Sequence, residues 1–157
     1  MARDDGTRAR LLAMFEAQGV AASRVAFAPW QLYTKAHLET YHQVDIALDS
    51  FPYNGTTTTC EALWMGVPVI TLYGTRHAGR MVSSVLNSAG LANWIAQSPE
   101  QYINIAQQLA SNLPNLVDLR TKLRGHLAAS PLCDGPRFAA GFARVLRQLF
   151  EQRLAAG

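Results

Sequence analysis

The chain has 157 residues, of which 49% are hydrophobic and 16% charged, with a formal net charge of +3. These values exclude a disordered chain and a two-domain enzyme, and they suit one globular domain over 1–157 with a single core. So small and scattered a charge would help attract a phosphate-bearing ligand, but it argues against a DNA or RNA partner.

Two cysteines, Cys60 and Cys133, are too few for a disulfide framework, and no His/Cys cluster has metal spacing. A reducing, cytoplasmic setting is therefore expected. The first ten residues hold three arginines and two aspartates with no apolar run behind them, which argues against a signal peptide. No apolar stretch approaches the roughly 18 residues of a membrane helix, so no membrane partner is expected.

In chain order, Asp4 and Asp5 predict a helix start, with Leu11, Leu12 and Phe15 inside the helix and Gly19 at its end. Arg24-Val25-Ala26-Phe27 reads as a short strand closed by Pro29. A helix is predicted from Thr34, carrying Lys35, His37, Leu38 and Tyr41. Residues 44–48 form a compact apolar run around Asp45, suited to a buried parallel strand. The loop 49–55 contains Pro52 and Asn54-Gly55, strong turn signals. Four threonines follow, then a helix from Cys60 to Met65 stopping at Gly66. Residues 67–73 predict another apolar strand, with Pro68 at its start. Residues 76–88 read as helix, ended by Gly90, and Trp94-Ile95 as a last short strand.

From residue 98 to 157 the pattern is helical. Ser98-Pro99-Glu100-Gln101 is a start signal for a helix with Tyr102, Ile105, Ala106 and Leu109 on its buried stripe. Leu116, Leu119, Leu123 and Leu127 suit a second helix. Phe138, Phe142, Val145, Leu146 and Leu149 suit a third, after Gly135-Pro136. Strands alternating with helices imply an α/β fold: a partial Rossmann-like, doubly wound parallel sheet followed by C-terminal helices. No internal repeat is visible.

Ligands of open α/β sheets bind beyond the carboxyl ends of strands, where helices begin. Here that place is Asn54-Gly55-Thr56-Thr57-Thr58-Thr59. Gly55 permits a tight turn and a close backbone approach, helix-start amides favour an anion, and threonine hydroxyls add donors. The same spacing also fits a capping box, with Thr58 and Glu61 merely satisfying backbone amides. Spacing alone leaves both readings open. Asp45 and Asp49 bracket a strand and are expected to bind loop amides. Trp64, Met65, Val85 and Leu86 are expected in the core, and Arg76 and His77 at the surface. For Arg80 a ligand contact and a helix partner stand equally.

The segments Asp45-Ile46-Ala47-Leu48-Asp49, Tyr53-Asn54-Gly55-Thr56-Thr57-Thr58 and Leu63-Trp64-Met65-Gly66-Val67-Pro68-Val69-Ile70-Thr71 closely resemble the C-terminal catalytic lobe of O-GlcNAc transferases. The likeness continues through Gly74, Arg80, Val82 and Ser84 to Ser130-Pro131-Leu132. It implies one lobe of a GT-B enzyme, preceded in the family by a first lobe and TPR repeats. Such enzymes move N-acetylglucosamine from UDP-GlcNAc to Ser or Thr of proteins, with inversion and without a metal; a related branch glucosylates Asn.

By that resemblance Thr57 and Thr58 would hold the diphosphate of a UDP-sugar. Glu61 stands where the family has an aspartate bonding the ribose, and Thr56 replaces a histidine. His37 matches a histidine near the nucleotide. The family's lysine three residues before it falls on Thr34, with Lys35 one residue later; on a rigid helix that slip turns the side chain by about 100°. The resemblance places the general-base candidates and the acceptor groove upstream. The chain alone is therefore expected to be catalytically silent, binding a UDP-sugar donor, with a protein acceptor in the full enzyme and no cofactor. A non-catalytic nucleotide-binding or interaction module is the alternative. Exposed apolar surface on such a fragment would also support a homodimer.

Overall fold

The computed structural model describes residues 4–156, so Arg3 and the extreme ends of the 1–157 span lie outside the described residues. The chain divides into two compact units, Met1–Thr40 and Tyr41–Gly157, which are described one at a time.

In the first unit, helix α1 spans Asp5–Ala17, and the Asp4 carboxylate caps it by accepting from Thr7 N at 2.7 Å. It ends in a left-handed turn at Gly19 (φ 79°), where Gly19 N donates to Glu16 O and Val20 N to Phe15 O. The strand expected over 24–27 does not form. Ala22–Arg24 is a 3-10 turn, and the residues after it join no sheet among the described residues. Helix α2 spans Thr34–Glu39, starting at the predicted residue.

The second unit is built on a parallel three-stranded sheet in the order β1 (Ala47–Leu48), β2 (Val69–Leu72), β3 (Ile95–Ala96). Ala47 is in register with Val69 and Thr71 with Ile95. The central strand is buried as an apolar run should be, with Val69, Ile70 and Thr71 all inaccessible, and both residues of β3 are buried as well. The strand expected over 44–48 shortens to two residues, and Leu48 is 60% exposed. Among the described residues β1 is an edge strand, paired with β2 alone.

Helix α3 spans Thr57–Trp64, three residues earlier than the predicted start at Cys60. It stops at Gly66, whose φ of 80° and 2.6 Å approach of a notional Cβ to Arg120 O leave room for no other residue. Helix α4 spans Met81–Ser88 rather than starting at residue 76. Before it, Gly74 N donates to Gly79 O at 2.9 Å, and this ring diverts His77–Gly79 into a 3-10 turn.

Helix α5 (Pro99–Ser111) has its predicted cap, Ser98 Oγ accepting from Gln101 N at 3.2 Å. Helices α6 (Leu113–Ala128) and α7 (Gly135–Ala155) follow, with Gly135-Pro136 forming the first turn of α7 instead of preceding it.

The core joins Leu63 of α3, Ile70 of β2, Leu86 of α4 and Leu123 of α6, all fully buried. Val85 and Leu86 are core as expected; Trp64 is not. It stands exposed with the Arg124 guanidinium 5.6 Å over its ring, while Arg124 Nε donates to Trp64 O. Helix α7 has the predicted apolar period, yet none of its residues is buried. The outcome is the mixed α/β architecture that the alternating pattern implied. No described helix is long and apolar enough to cross a membrane.

Candidate functional site

The strand β1 ends at the loop that delivers the chain to the mouth of α3. Asp49, the first residue past the strand, is 9% exposed and holds that loop with both carboxylate oxygens. Oδ1 accepts from Gly55 N at 2.9 Å and Oδ2 from Thr71 Oγ1 at 2.7 Å. The Tyr102 hydroxyl of α5 donates to Asp49 O at 2.9 Å, and Asp49 N donates to Ile70 O at 2.9 Å. Burial pushes the Asp49 carboxyl above its ordinary value, partly offset by the bonds from Gly55 and Thr71. This strand-end aspartate binds a loop amide, as expected. Asp45 instead pairs with Arg120, at 3.4 Å.

Within the loop, Ser50 Oγ donates to Tyr53 O, Asn54 Nδ2 donates to Ser50 O, and Asn54 N donates to Ala78 O. The loop is thus braced against its own backbone and the turn before α4. Gly55 lies under the threonines: a Cβ there would stand 2.7 Å from Thr58 Oγ1 and 3.1 Å from Thr59 Oγ1.

Thr56 occupies the N-cap position of α3, but its side chain caps no amide. The first helical bond runs from Cys60 N to Thr56 O, so the amides of residues 57–59 precede the hydrogen-bond ladder. Thr56, Thr57 and Thr58 are exposed, whereas Thr59 is buried. The capping box does not form. Thr58 is inside the first turn rather than at the cap, and Glu61 Oε2 accepts from the Tyr41 hydroxyl at 3.2 Å. That hydroxyl also lies 3.3 Å from Thr58 O. Burial, reinforced by the Glu61 carboxylate, pushes the Tyr41 phenol up to about 12.

A cavity of about 230 Å³ opens between β1 and α3, lined by Tyr41, Asp49, Ser50, Gly55 and Thr58 among others. Pockets that enclose a whole drug-sized ligand run to roughly 300–1,000 Å³, so this one suits part of a nucleotide sugar.

The structure therefore gathers Gly55, Thr56, Thr57, Thr58 and Glu61 at one helix mouth. Lys35 and His37 belong to the first unit. Lys35 Nζ lies 4.0 Å from Glu39 Oε1 on α2, and His37 O accepts from Thr40 Oγ1 at 2.6 Å. Arg80 sits at the N-cap of α4, and Arg76 and His77 are exposed. Sequence reasoning missed Thr71 and Tyr102 as braces and Tyr41 as the partner of Glu61. Tyr102 meets Asp49 across 53 residues of chain, a contact that no local pattern announces. Among the described residues no group of three or more His, Cys, Asp or Glu is arranged to hold a metal ion.

A strand end, a braced glycine turn and a helix mouth lined with hydroxyls are the makings of an α/β anion-binding lobe. The sequence profile of glycosyl transferase family 41 matches residues 5–142, and the chain belongs to that family. It is 40% identical over 148 residues to the probable UDP-N-acetylglucosamine–peptide N-acetylglucosaminyltransferase SPINDLY of Arabidopsis thaliana, covering 94% of this chain and 16% of that protein. The probable UDP-N-acetylglucosamine–peptide N-acetylglucosaminyltransferase SEC of Arabidopsis thaliana is 34% identical over 129 residues, 82% of this chain and 13% of that one. Among solved structures, a K341M mutant of Thermobaculum terrenum O-GlcNAc transferase superposes with a TM-score of 0.86 at 40% identity, over 96% of this chain and 29% of that one. The fold is that of one lobe of such an enzyme. The chain spans about a sixth of the length of its SPINDLY relatives.

Proposed function

We propose that this chain is the donor-binding part of a UDP-N-acetylglucosamine-dependent protein O-glycosyltransferase, and that the mouth of α3 grips the diphosphate. The observation that carries the reading is the geometry of residues 55–58. Two exposed threonines stand on first-turn amides outside the helical ladder, over a glycine held from behind by Asp49. Such donors are fixed before the ligand arrives and stabilise charge without reorganising. The hydroxyls and amides of Thr57 and Thr58 would take the phosphate oxygens, with Thr56 beside them, and Glu61 would accept from the ribose. These neutral donors would bear charge of the departing UDP with no metal or other cofactor.

The names of the relatives support the donor and a peptide acceptor. The parent protein is proposed to carry TPR repeats and to act in the cytoplasm. Transfer also requires an acceptor held in line with the donor, which this lobe does not supply, so the chain alone binds but does not turn over. Two measurements test this. UDP at 100 times its dissociation constant should stabilise the chain by about 2.7 kcal/mol in thermal melts. Labelled UDP-GlcNAc with a protein acceptor should give no transfer. A melt indifferent to UDP would remove the donor-binding reading, and robust turnover would remove the assignment of silence.

A further inference from the structure

Every polar atom of Asp49 is engaged, and together the engagements reach β2, α5 and the loop before α3. The amide goes to Ile70 of β2, the carbonyl to Tyr102 of α5, one carboxylate oxygen to Thr71 of β2 and the other to the Gly55 amide. Gly55 in turn is the residue over which the Thr58 and Thr59 hydroxyls converge. The Gly55 amide is consumed by this bond and is not itself a ligand donor.

We propose that Asp49 is a positioning residue for phosphate recognition: it fixes the Gly55 turn and so sets where the Thr57 and Thr58 donors stand. This rests on the reading of the α3 mouth as the diphosphate site. Two features separate it from a generic buried aspartate. The Gly55 bond spans the loop that feeds the helix, with donor and acceptor six positions apart in sequence, so it fixes the loop rather than the helix. The bond is also made by a buried carboxylate, and hydrogen bonds to ionised acceptors are the stronger and more directional kind. Thr71 holds that carboxylate in its rotamer from the sheet side. The chain is thus a relay: sheet to Thr71, Thr71 to Asp49, Asp49 to Gly55, and Gly55 to the threonines.

The test compares UDP with uridine, which lacks phosphates, on the wild-type chain and on Asp49→Ala, Asp49→Asn and Thr71→Val. Asp49→Ala removes the acceptor, and loss of one such bond should weaken UDP by about tenfold while uridine stays within about twofold. Asp49→Asn keeps an oxygen for Gly55 and can donate its amide to Thr71 Oγ1, so it should recover UDP affinity to within about threefold. Thr71→Val leaves Asp49 in place but frees its rotamer, and should weaken UDP by about threefold, again sparing uridine. If Asp49→Ala fails to fold, Asp49→Asn and Thr71→Val decide between the outcomes. Equal losses for UDP and uridine, or unchanged UDP affinity in Asp49→Ala and Thr71→Val, would overturn the proposal while leaving the diphosphate site standing. A wild-type chain that binds no UDP would instead overturn the underlying site, and this proposal with it.

Discussion

Gly55 shows how one absent methyl group shapes the site. A Cβ at that position meets Thr58 Oγ1 at 2.7 Å, the end of an exposed side chain that can give way only by moving its hydroxyl from the place it holds at the helix mouth. Gly55→Ala is therefore expected to cost about 1 kcal/mol or less of stability while turning the Thr58 hydroxyl away. Melting curves and UDP titration on the same variant check this: the first should hardly move and the second should weaken. The tyrosines offer an independent probe. Tyr41 and Tyr102 are both pushed up to about 12, Tyr41 by burial and then Glu61, Tyr102 by burial and then Asp49. Phenols raised in the folded state stabilise it fully below the ordinary value near 10, and that stability is lost as pH rises through about 12. Spectrophotometric titration should show two late phenols in the wild type and one in Tyr41→Phe. Asp49 follows the same sign: its raised carboxyl favours the fold below the ordinary carboxylate range and disfavours it as pH climbs through the folded value, so Asp49→Asn should flatten that slope. What the sequence displayed at this scale was local. Thr57, Thr58 and the Gly55 turn are neighbours in the chain and were legible as a group. The braces Thr71 and Tyr102 were not, because their bonds to Asp49 exist only once distant segments have packed.

At the scale of elements, glycine and capping residues set the ends that were read correctly. Gly19, Gly66 and Gly90 all have positive φ and all terminate helices, as their positions implied. Gly66→Ala is the sharpest test of this level, since it adds left-handed strain to a backbone clash with Arg120 O at 2.6 Å. It is expected to destabilise by about 2–4 kcal/mol, read as a shifted denaturant midpoint with the slope unchanged. The elements misjudged were those whose fate depends on partners. Residues 24–27 have strand composition but no ladder, and 44–48 are apolar enough for a central strand yet lie at an edge. The helix expected from residue 76 gave way to the Gly74–Gly79 ring, a contact between two glycines that period alone does not reveal.

At the scale of the whole molecule, α7 is the unusual feature. Phe138, Phe142, Val145 and Leu149 form one stripe, and Phe138 and Phe142 stack with centroids 5.9 Å apart, yet Phe138 remains 71% exposed. A contiguous apolar face of this kind marks an interaction surface. The chain on its own is predicted to self-associate through it. Sedimentation should show a concentration-dependent dimer that Phe142→Glu with Leu149→Glu returns to monomer. Because neither residue is buried, stability should stay within about 0.5 kcal/mol per substitution. A monomer at every concentration would contradict this. The central claim concerns the mouth of α3, where the helix meets its loop. Calorimetric titration of UDP into the chain and into its Thr57→Ala/Thr58→Ala double variant tests that claim most directly. The account requires clear binding to the first and at least a tenfold weaker response from the second, as two lost phosphate donors at about 1 kcal/mol each imply; equal affinity for both chains would contradict it.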